Sequence, residues 1–259
     1  MIRIKSAEEI KKMRVAGQLT AQVLTALSEQ MRVGITTAEI DTFCHDYIID
    51  VLKAKPGSKG QYGYPYSVNT SINKVVCHGM PYPDKKLVEG DIINVDITVL
   101  KDGYYGDSSK MFCIGNVAEH AKRLVDTTQE CMYEGIRMVK PGVRLGDIGH
   151  KIQVLAESRN YSVVREFCGH GIGCEMHEDP QVLHYGKAGT GEVLAPGMTF
   201  TIEPMINQGA RFVKVLPDKW TVVTKDKRLS AQWEHTILVT ETGVEILTLR
   251  EEEKSFAFS

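Results

Sequence analysis

Apolar and polar residues alternate in three stretches of the chain, and each alternation predicts a half-buried strand. In residues 93–99, Ile93, Val95, Ile97 and Val99 interleave with Asn94, Asp96 and Thr98. Residues 198–203 repeat the pattern, with Met198, Phe200 and Ile202 against Thr199, Thr201 and Glu203. Residues 231–237 form the third case, with Gln232, Glu234 and Thr236 on the polar side. β-Branched runs at 221–224 and 236–239 extend the strand content. Longer amphipathic stretches predict helices over 7–30, 37–52, 117–139 and 145–159. The polar face of an antiparallel sheet ordinarily meets solvent, and that is the expectation for each carboxylate taken alone.

The alternating segments also resemble one another. Leu87-Val88-Glu89-Gly90-Asp91-Ile92-Ile93-Asn94-Val95-Asp96 aligns without gaps on Leu194-Ala195-Pro196-Gly197-Met198-Thr199-Phe200-Thr201-Ile202-Glu203, an offset of 107 (197 − 90). The turn at Gly34 matches the turn at Gly142 with an offset of 108 (142 − 34). Each half therefore reads helix, glycine turn, helix, strands. The period is far longer than that of a solenoid and predicts two fused half-domains, roughly 1–115 and 116–249, within one domain spanning 1–259. Such a duplication would relate Asp96 to Glu203 by a pseudo-twofold axis. A second carboxylate joins Asp96 through a hairpin. Asp102-Gly103 is a strong two-residue turn signal, and with that loop Asp96 lies opposite Ser109 while Asp107 projects to the same face. Such diagonal neighbours sit about 7–8 Å apart, close enough to share a metal. A three-residue loop would turn Asp107 to the opposite face.

Composition narrows the class without naming it. The 259 residues are 42% hydrophobic and 25% charged, with a net charge of −2. These values fit a globular chain with a sizeable core, and no global field argues for nucleic acid or membrane binding. No apolar run resembles a signal peptide or reaches membrane-spanning length, so a cytoplasmic location is expected. Cys44, Cys77, Cys113, Cys131, Cys168 and Cys174 contain no CxxC pair and read as reduced thiols. One local patch is basic: Arg211, Lys214, Lys219, Lys225, Lys227 and Arg228 outnumber Asp218 and Asp226. Its ordinary meaning is a solvated hairpin face.

Candidate chemistry gathers around histidine. Cys168-Gly169-His170-Gly171-Ile172-Gly173 is dense in glycine, which lets backbone and substrate approach closely. His177 follows seven residues later, and His78 sits between an apolar strand and a Gly/Pro turn. The ordered set Asp96, Asp107, His170, Glu203 and Glu234, with GHGIG around His170 and with His177, resembles the methionine aminopeptidases in their short bacterial type I form. The likeness runs from Lys5-Ser6-Ala7-Glu8-Glu9-Ile10 to Val239, without an N-terminal zinc-binding extension or the helical insert of the type II enzymes.

That resemblance implies an α/β pita-bread fold, a curved antiparallel sheet flanked by helices. It implies two divalent ions (manganese, iron(II), cobalt or zinc) bridged by Asp107 and Glu234. Asp96 would complete one ion, and His170 with Glu203 the other. Oxygen-rich sets of this kind suit hard and borderline divalent ions. The reaction implied is removal of the N-terminal methionine from nascent chains whose second residue is small. Glu203 would also shuttle a proton, His177 stabilise the oxyanion and His78 bond the substrate backbone. Tyr64 and Trp220 match the family's methionine pocket. Asn69, Met176 and Gln61 stand where cysteine, phenylalanine and tyrosine are common, which implies retained methionine preference with altered tolerance. In this light the basic patch becomes a ribosomal RNA contact, and the protein a monomer. Two other readings compete: a proline-specific relative, expected to carry a long additional N-terminal domain, and a non-catalytic binding module, expected to lack metal ligands.

Overall fold

The computed structural model describes residues 1–257. The first helix, Ala7–Ser28, starts at a capping box in which Ser6 and Glu9 exchange side-chain-to-backbone bonds. Thr36 and Glu39 start the second, Thr37–Asp46, in the same way. Such boxes satisfy two orphan amide donors at each start. The sequence predicts this helix to run to residue 52. The backbone instead widens into a π-helical turn at Tyr47–Val51, where the Leu52 amide bonds the Tyr47 carbonyl at 3.0 Å. Two further helices, Glu119–Arg137 and Leu145–Ser158, cover the second half.

The main sheet is antiparallel and, among the described residues, nine-stranded. Its central path runs from Ile92–Lys101 to Tyr104–Cys113, Glu234–Val239, Thr199–Ile202, Gly169–Gly171 and Glu178–Val182. Val68–Ile72 also pairs with Ile92–Lys101. One face of this curved sheet meets the helices. Ile93, Val95, Ile97 and Val99 are fully buried with Val23, Leu24, Leu27 and Ile40 of the first two helices. Phe200, Ile202 and Ile237 pack with Leu124, Met132, Ile148 and Ile152 of the last two. Each such side chain contributes about 1.5–3 kcal/mol by leaving water.

Equivalent hydrogen bonds recur in the two halves. Gly34 N–H donates to Leu87 O and Gly142 N–H to Leu194 O, at 2.8 and 2.9 Å. Gly90 N–H donates to Ile114 O and Gly197 N–H to Val239 O, both at 2.9 Å. Gly90 and Gly197 have φ of 89° and 86°, a left-handed conformation that favours glycine.

The third predicted strand is broken in two. Ser230–Gln232 pairs with Met205–Asn207 in a separate three-stranded sheet, and Glu234–Val239 joins the main sheet. Trp233 marks the break; its ring is buried and its indole N–H donates to Val125 O at 3.1 Å. A matching break separates Thr199–Ile202 from Met205–Asn207 at Glu203-Pro204. Both breaks place a carboxylate, Glu203 or Glu234, where the chain passes between sheets.

Candidate metal centre and substrate pocket

The Asp-Gly loop forms as the sequence predicts. Asp102 and Gly103 have φ of 50° and 80°, Lys101 pairs with Tyr104, and Asp96 lies opposite Ser109. Thr98 faces Asp107 and its hydroxyl donates to Asp107 Oδ1 at 2.9 Å. Ser109 is also opposite Glu234, and Asn69 is opposite Asp96. Directly opposed residues share a face, so Asn69, Asp96, Ser109 and Glu234 form one row across four strands, with Asp107 beside it. Asn69 Nδ2 donates to Asp96 Oδ2 at 3.2 Å.

His170 arrives on a short strand, Gly169–Gly171. Its flanking glycines permit the approach: a Cβ on Gly171 would lie 2.0 Å from Asp179 O, and one on Gly169 2.4 Å from Thr201 O. His170 Nδ1 is 3.0 Å from Gly171 O, an acceptor, so Nδ1 carries the proton and Nε2 keeps its lone pair. Nε2 lies 3.6 Å from Glu203 Oε1 and 3.9 Å from Asp107 Oδ2. Ligand atoms of Asp107, His170 and Glu234 lie within 4.8 Å of one another. Glu203 is oriented by Thr201 Oγ1, which donates to Oε1 at 2.7 Å, and by Gln232 Nε2 at 3.3 Å from Oε2. His184 Nε2 accepts the Glu203 amide at 3.0 Å. Nothing in the sequence marks Gln232 or His184 as touching a site residue.

The electrostatics explain what this arrangement needs. Asp107 and Glu234 are buried, against the solvent-facing expectation for a polar sheet face. Burial pushes both carboxyls well above their ordinary range, and the neighbouring carboxylates push further. Burial raises Asp96 to about 6, against the bond from Asn69, and Glu203 to about 8. Burial lowers His170 to about 3 and His78 to about 4, and lowers His177 as well, so all three imidazoles are neutral at pH 7. A neutral imidazole lone pair facing converging carboxylates fits divalent cations, whose charge would offset the repulsion.

A cavity of about 730 Å³ opens over this cluster. Tyr64, Asn69, Met176, Trp220, His78 and His177 all line it. The Tyr64 and Trp220 rings meet edge-on at 4.9 Å. The His177 ring lies 4.3 Å from that of His170 with the two planes tilted by 56°, and His78, at a φ of 54°, meets Phe167 edge-on at 5.5 Å. Gln61 does not line the cavity; its amide turns to the Tyr105 hydroxyl at 3.2 Å. Tyr62 lines it instead, its ring 5.8 Å from His177. A positive φ of 48° at Tyr62 carries no signal in the sequence beyond the glycines on either side.

Comparison with known proteins agrees with this geometry. Residues 11–241 match Metallopeptidase family M24. The methionine aminopeptidase of Salmonella typhimurium is 55% identical over 97% of this chain and 96% of its own length. That of Escherichia coli is 53% identical over the same shares. The crystal structure of methionine aminopeptidase from Rickettsia prowazekii superposes with a TM-score of 0.94 at 49% identity, covering 96% of this chain and 100% of the other. The pita-bread fold is therefore the fold of this protein. A prolidase from Pyrococcus furiosus shares that fold alone, at 23% identity, a TM-score of 0.77 and 66% coverage of its longer chain. The chain belongs to metallopeptidase family M24, and within it to the methionine aminopeptidases.

Proposed function

We propose that the protein hydrolyses the first peptide bond of nascent chains, releasing an N-terminal methionine when the second residue is small. One observation carries this reading: Asp96, Asp107, His170, Glu203 and Glu234 line one cavity with Tyr64, Trp220 and Met176, and ligand atoms of Asp107, His170 and Glu234 lie within 4.8 Å of one another. Asp107 and Glu234 would hold two divalent ions between them, Asp96 one ion, and His170 with Glu203 the other; manganese, iron(II), cobalt and zinc all suit this donor set. When bound, such ions supply Lewis acidity that activates water at neutral pH and polarises the scissile carbonyl.

The remaining roles belong to the chain. Glu203 takes the proton of the attacking water and delivers it to the leaving amine, a task that requires its carboxylate to be ionised, as bound cations would make it. His177, neutral and beside His170, donates its N–H to the developing oxyanion. His78 bonds the substrate backbone. Tyr64 and Trp220 receive the methionine side chain, Met176 adds a flexible apolar wall, and Asn69 adds an amide already engaged with Asp96. Lys214, Lys219, Lys225, Lys227 and Arg228 are exposed and available to ribosomal RNA. Arg211 also faces Glu166 at 3.7 Å. The protein acts in this reading as a cytoplasmic monomer; among the described residues no helix is long and apolar enough to cross a membrane. The matching turns of the two halves support the half-domain boundaries at about 115 and 116.

The test is chelation, reconstitution with each of the four ions, and turnover of Met-Ala-Ser against Leu-Ala-Ser. Restored hydrolysis with strong preference for Met-Ala-Ser is expected. Equal rates on the two peptides would sink the methionine assignment, and full activity of Asp96→Ala and His170→Ala would sink the metal assignment.

A further inference from the structure

The strands that carry Asp107 and Glu234 are joined by only two backbone register pairs, Glu234 with Ser109 and His235 with Ser108. Beyond those pairs side-chain hydroxyls make the joint. Thr236 Oγ1 accepts from Asp107 N–H at 3.0 Å and donates to Asp107 O at 2.7 Å. Ser108 Oγ donates to Glu234 O at 2.6 Å. Both hydroxyl residues are fully buried, and both are held by the segment 248–253 that follows the sheet. Thr248 Oγ1 accepts the Thr236 amide at 3.1 Å and lies 2.9 Å from His235 Nδ1. Arg250 Nη1 donates to Ser108 Oγ at 2.8 Å, and the guanidinium lies 5.9 Å over the Trp233 ring.

Arg250 is itself buried and ion-paired, while its Nε and Nη2 make no hydrogen bond among the described residues. It is 1% exposed, and its Nε faces Glu253 Oε2 at 2.6 Å as an ion pair. Glu253, 2% exposed, also faces His235 Nε2 at 3.4 Å and accepts from Gln129 Nε2 at 2.9 Å. A buried ion pair is a poor source of stability, because desolvation offsets the attraction. Its placement has a different use here. The Arg250 fork ends on the hydroxyl that holds the Glu234 carbonyl, one residue from Asp107.

We propose that segment 248–253 is a strap that sets the separation of Asp107 and Glu234, with Arg250 and Glu253 as positioning residues for the metal centre. The proposal rests on the reading of those two carboxylates as shared ligands. Carboxylates that bridge two cations tolerate little error in spacing, and partners that orient a ligand commonly contribute about 10–100-fold to metal affinity.

Titration of the chelated protein with MnCl2 by calorimetry, alongside thermal unfolding, tests it in the wild type, Ser108→Ala, Arg250→Met, the double variant and Glu253→Gln. Ser108→Ala deletes one hydroxyl and leaves the ion pair in place, so it decides the matter even if an Arg250 or Glu253 variant does not fold. Expected is a loss of Mn²⁺ affinity of at least about tenfold in Ser108→Ala and in Arg250→Met, with the double variant no weaker than Arg250→Met because both cut one path. A lowered Tm in Ser108→Ala with Mn²⁺ affinity within about twofold of wild type would overturn the strap and leave the metal assignment standing. No Mn²⁺ binding by the wild type would overturn both.

Discussion

Removing the cations should make the protein less stable as pH rises from 7 to 8, the reverse of ordinary carboxylate behaviour. Glu203 is 13% exposed, and its carboxyl is raised from 4.5 to about 8. A group with a raised folded value holds a proton in the native state that the unfolded chain has released. Its stabilisation is complete below about 4.5 and is lost as pH climbs through about 8. From pH 7 to 8 the protonated fraction falls from about nine-tenths to one-half, which at roughly 1.36 kcal/mol per unit costs about 1 kcal/mol. For a chain of this size that is about 2–4 °C in Tm. Asp107 and Glu234, raised in the same direction, add to the fall. His78, His170, His177, His184 and His235 are lowered by burial and tilt stability upward with pH; the unfolded chain, titrating near 6.5, still holds about a quarter of a proton on each at pH 7, so together they offset up to about 0.7 kcal/mol of the fall between pH 7 and 8. The buried thiols of Cys44 and Cys77 are raised, so their effect begins above about 8.5. Scanning fluorimetry in EDTA at pH 7.0, 7.5 and 8.0 reads the slope, and Glu203→Gln should flatten it. Added Mn²⁺ should reverse it, since metal displaces protons from its ligands. A Tm slope across this window that Glu203→Gln leaves unchanged would refute the proton held at Glu203 in the buried cluster.

His177→Ala should lower kcat on Met-Ala-Ser by about 10²-fold with a much smaller change in KM, the mark of a donor used mainly in the transition state; a pure KM effect in steady-state kinetics would remove His177 from that role. Gly171→Ala should cost about 1–3 kcal/mol or more, because the added Cβ lies 2.0 Å from the Asp179 carbonyl on the neighbouring strand; an unchanged denaturant midpoint would show that the strand yields freely. Replacing Lys214, Lys225 and Lys227 by alanine should leave Met-Ala-Ser turnover unchanged and lower the salt slope of ribosome cosedimentation by up to about 0.7–0.9 for each phosphate those lysines neutralise. Binding by the wild type that does not weaken with salt would exclude that surface.

The parts of the site legible in the sequence are those set by local rules. An Asp-Gly pair specifies the loop, the loop specifies the register, and the register puts Asp107 on the face of Asp96. The glycines around His170 announce a close approach, although the chain there is extended. Long-range partners are not legible. Gln232 reaches Glu203 only because the chain breaks at Trp233, and an alternating pattern looks the same whether or not a strand changes sheets. Gln61 and Tyr62 stand side by side in a glycine-flanked turn, and the backbone conformation at Tyr62 decides which one the cavity receives. Glu253 closes a run of three glutamates that reads as a solvated end, yet it is buried because Arg250, His235 and Gln129 converge on it from separate segments.

The polar face of the sheet is largely buried beneath one cavity, and charge is concentrated where the halves meet. Helices fill the convex side of each half with separate apolar cores, one around Ile97 and one around Phe200. The concave side is left to the row Asn69, Asp96, Ser109 and Glu234, closed by Glu203 and His170. An apolar lining there would be more stable without metal, because each buried carboxyl must be protonated, hydrogen-bonded or matched by a cation. Thr98 bonds one oxygen of Asp107 and Asn69 one of Asp96, while Thr201 and Gln232 bond the two oxygens of Glu203. The chain thus fixes the directions of these carboxylates with neutral partners and leaves their charge without a protein cation among the described residues to match it. A protein built this way should be least stable when chelated at alkaline pH, where Glu203 gives up its proton, and most rigid when its ions are bound.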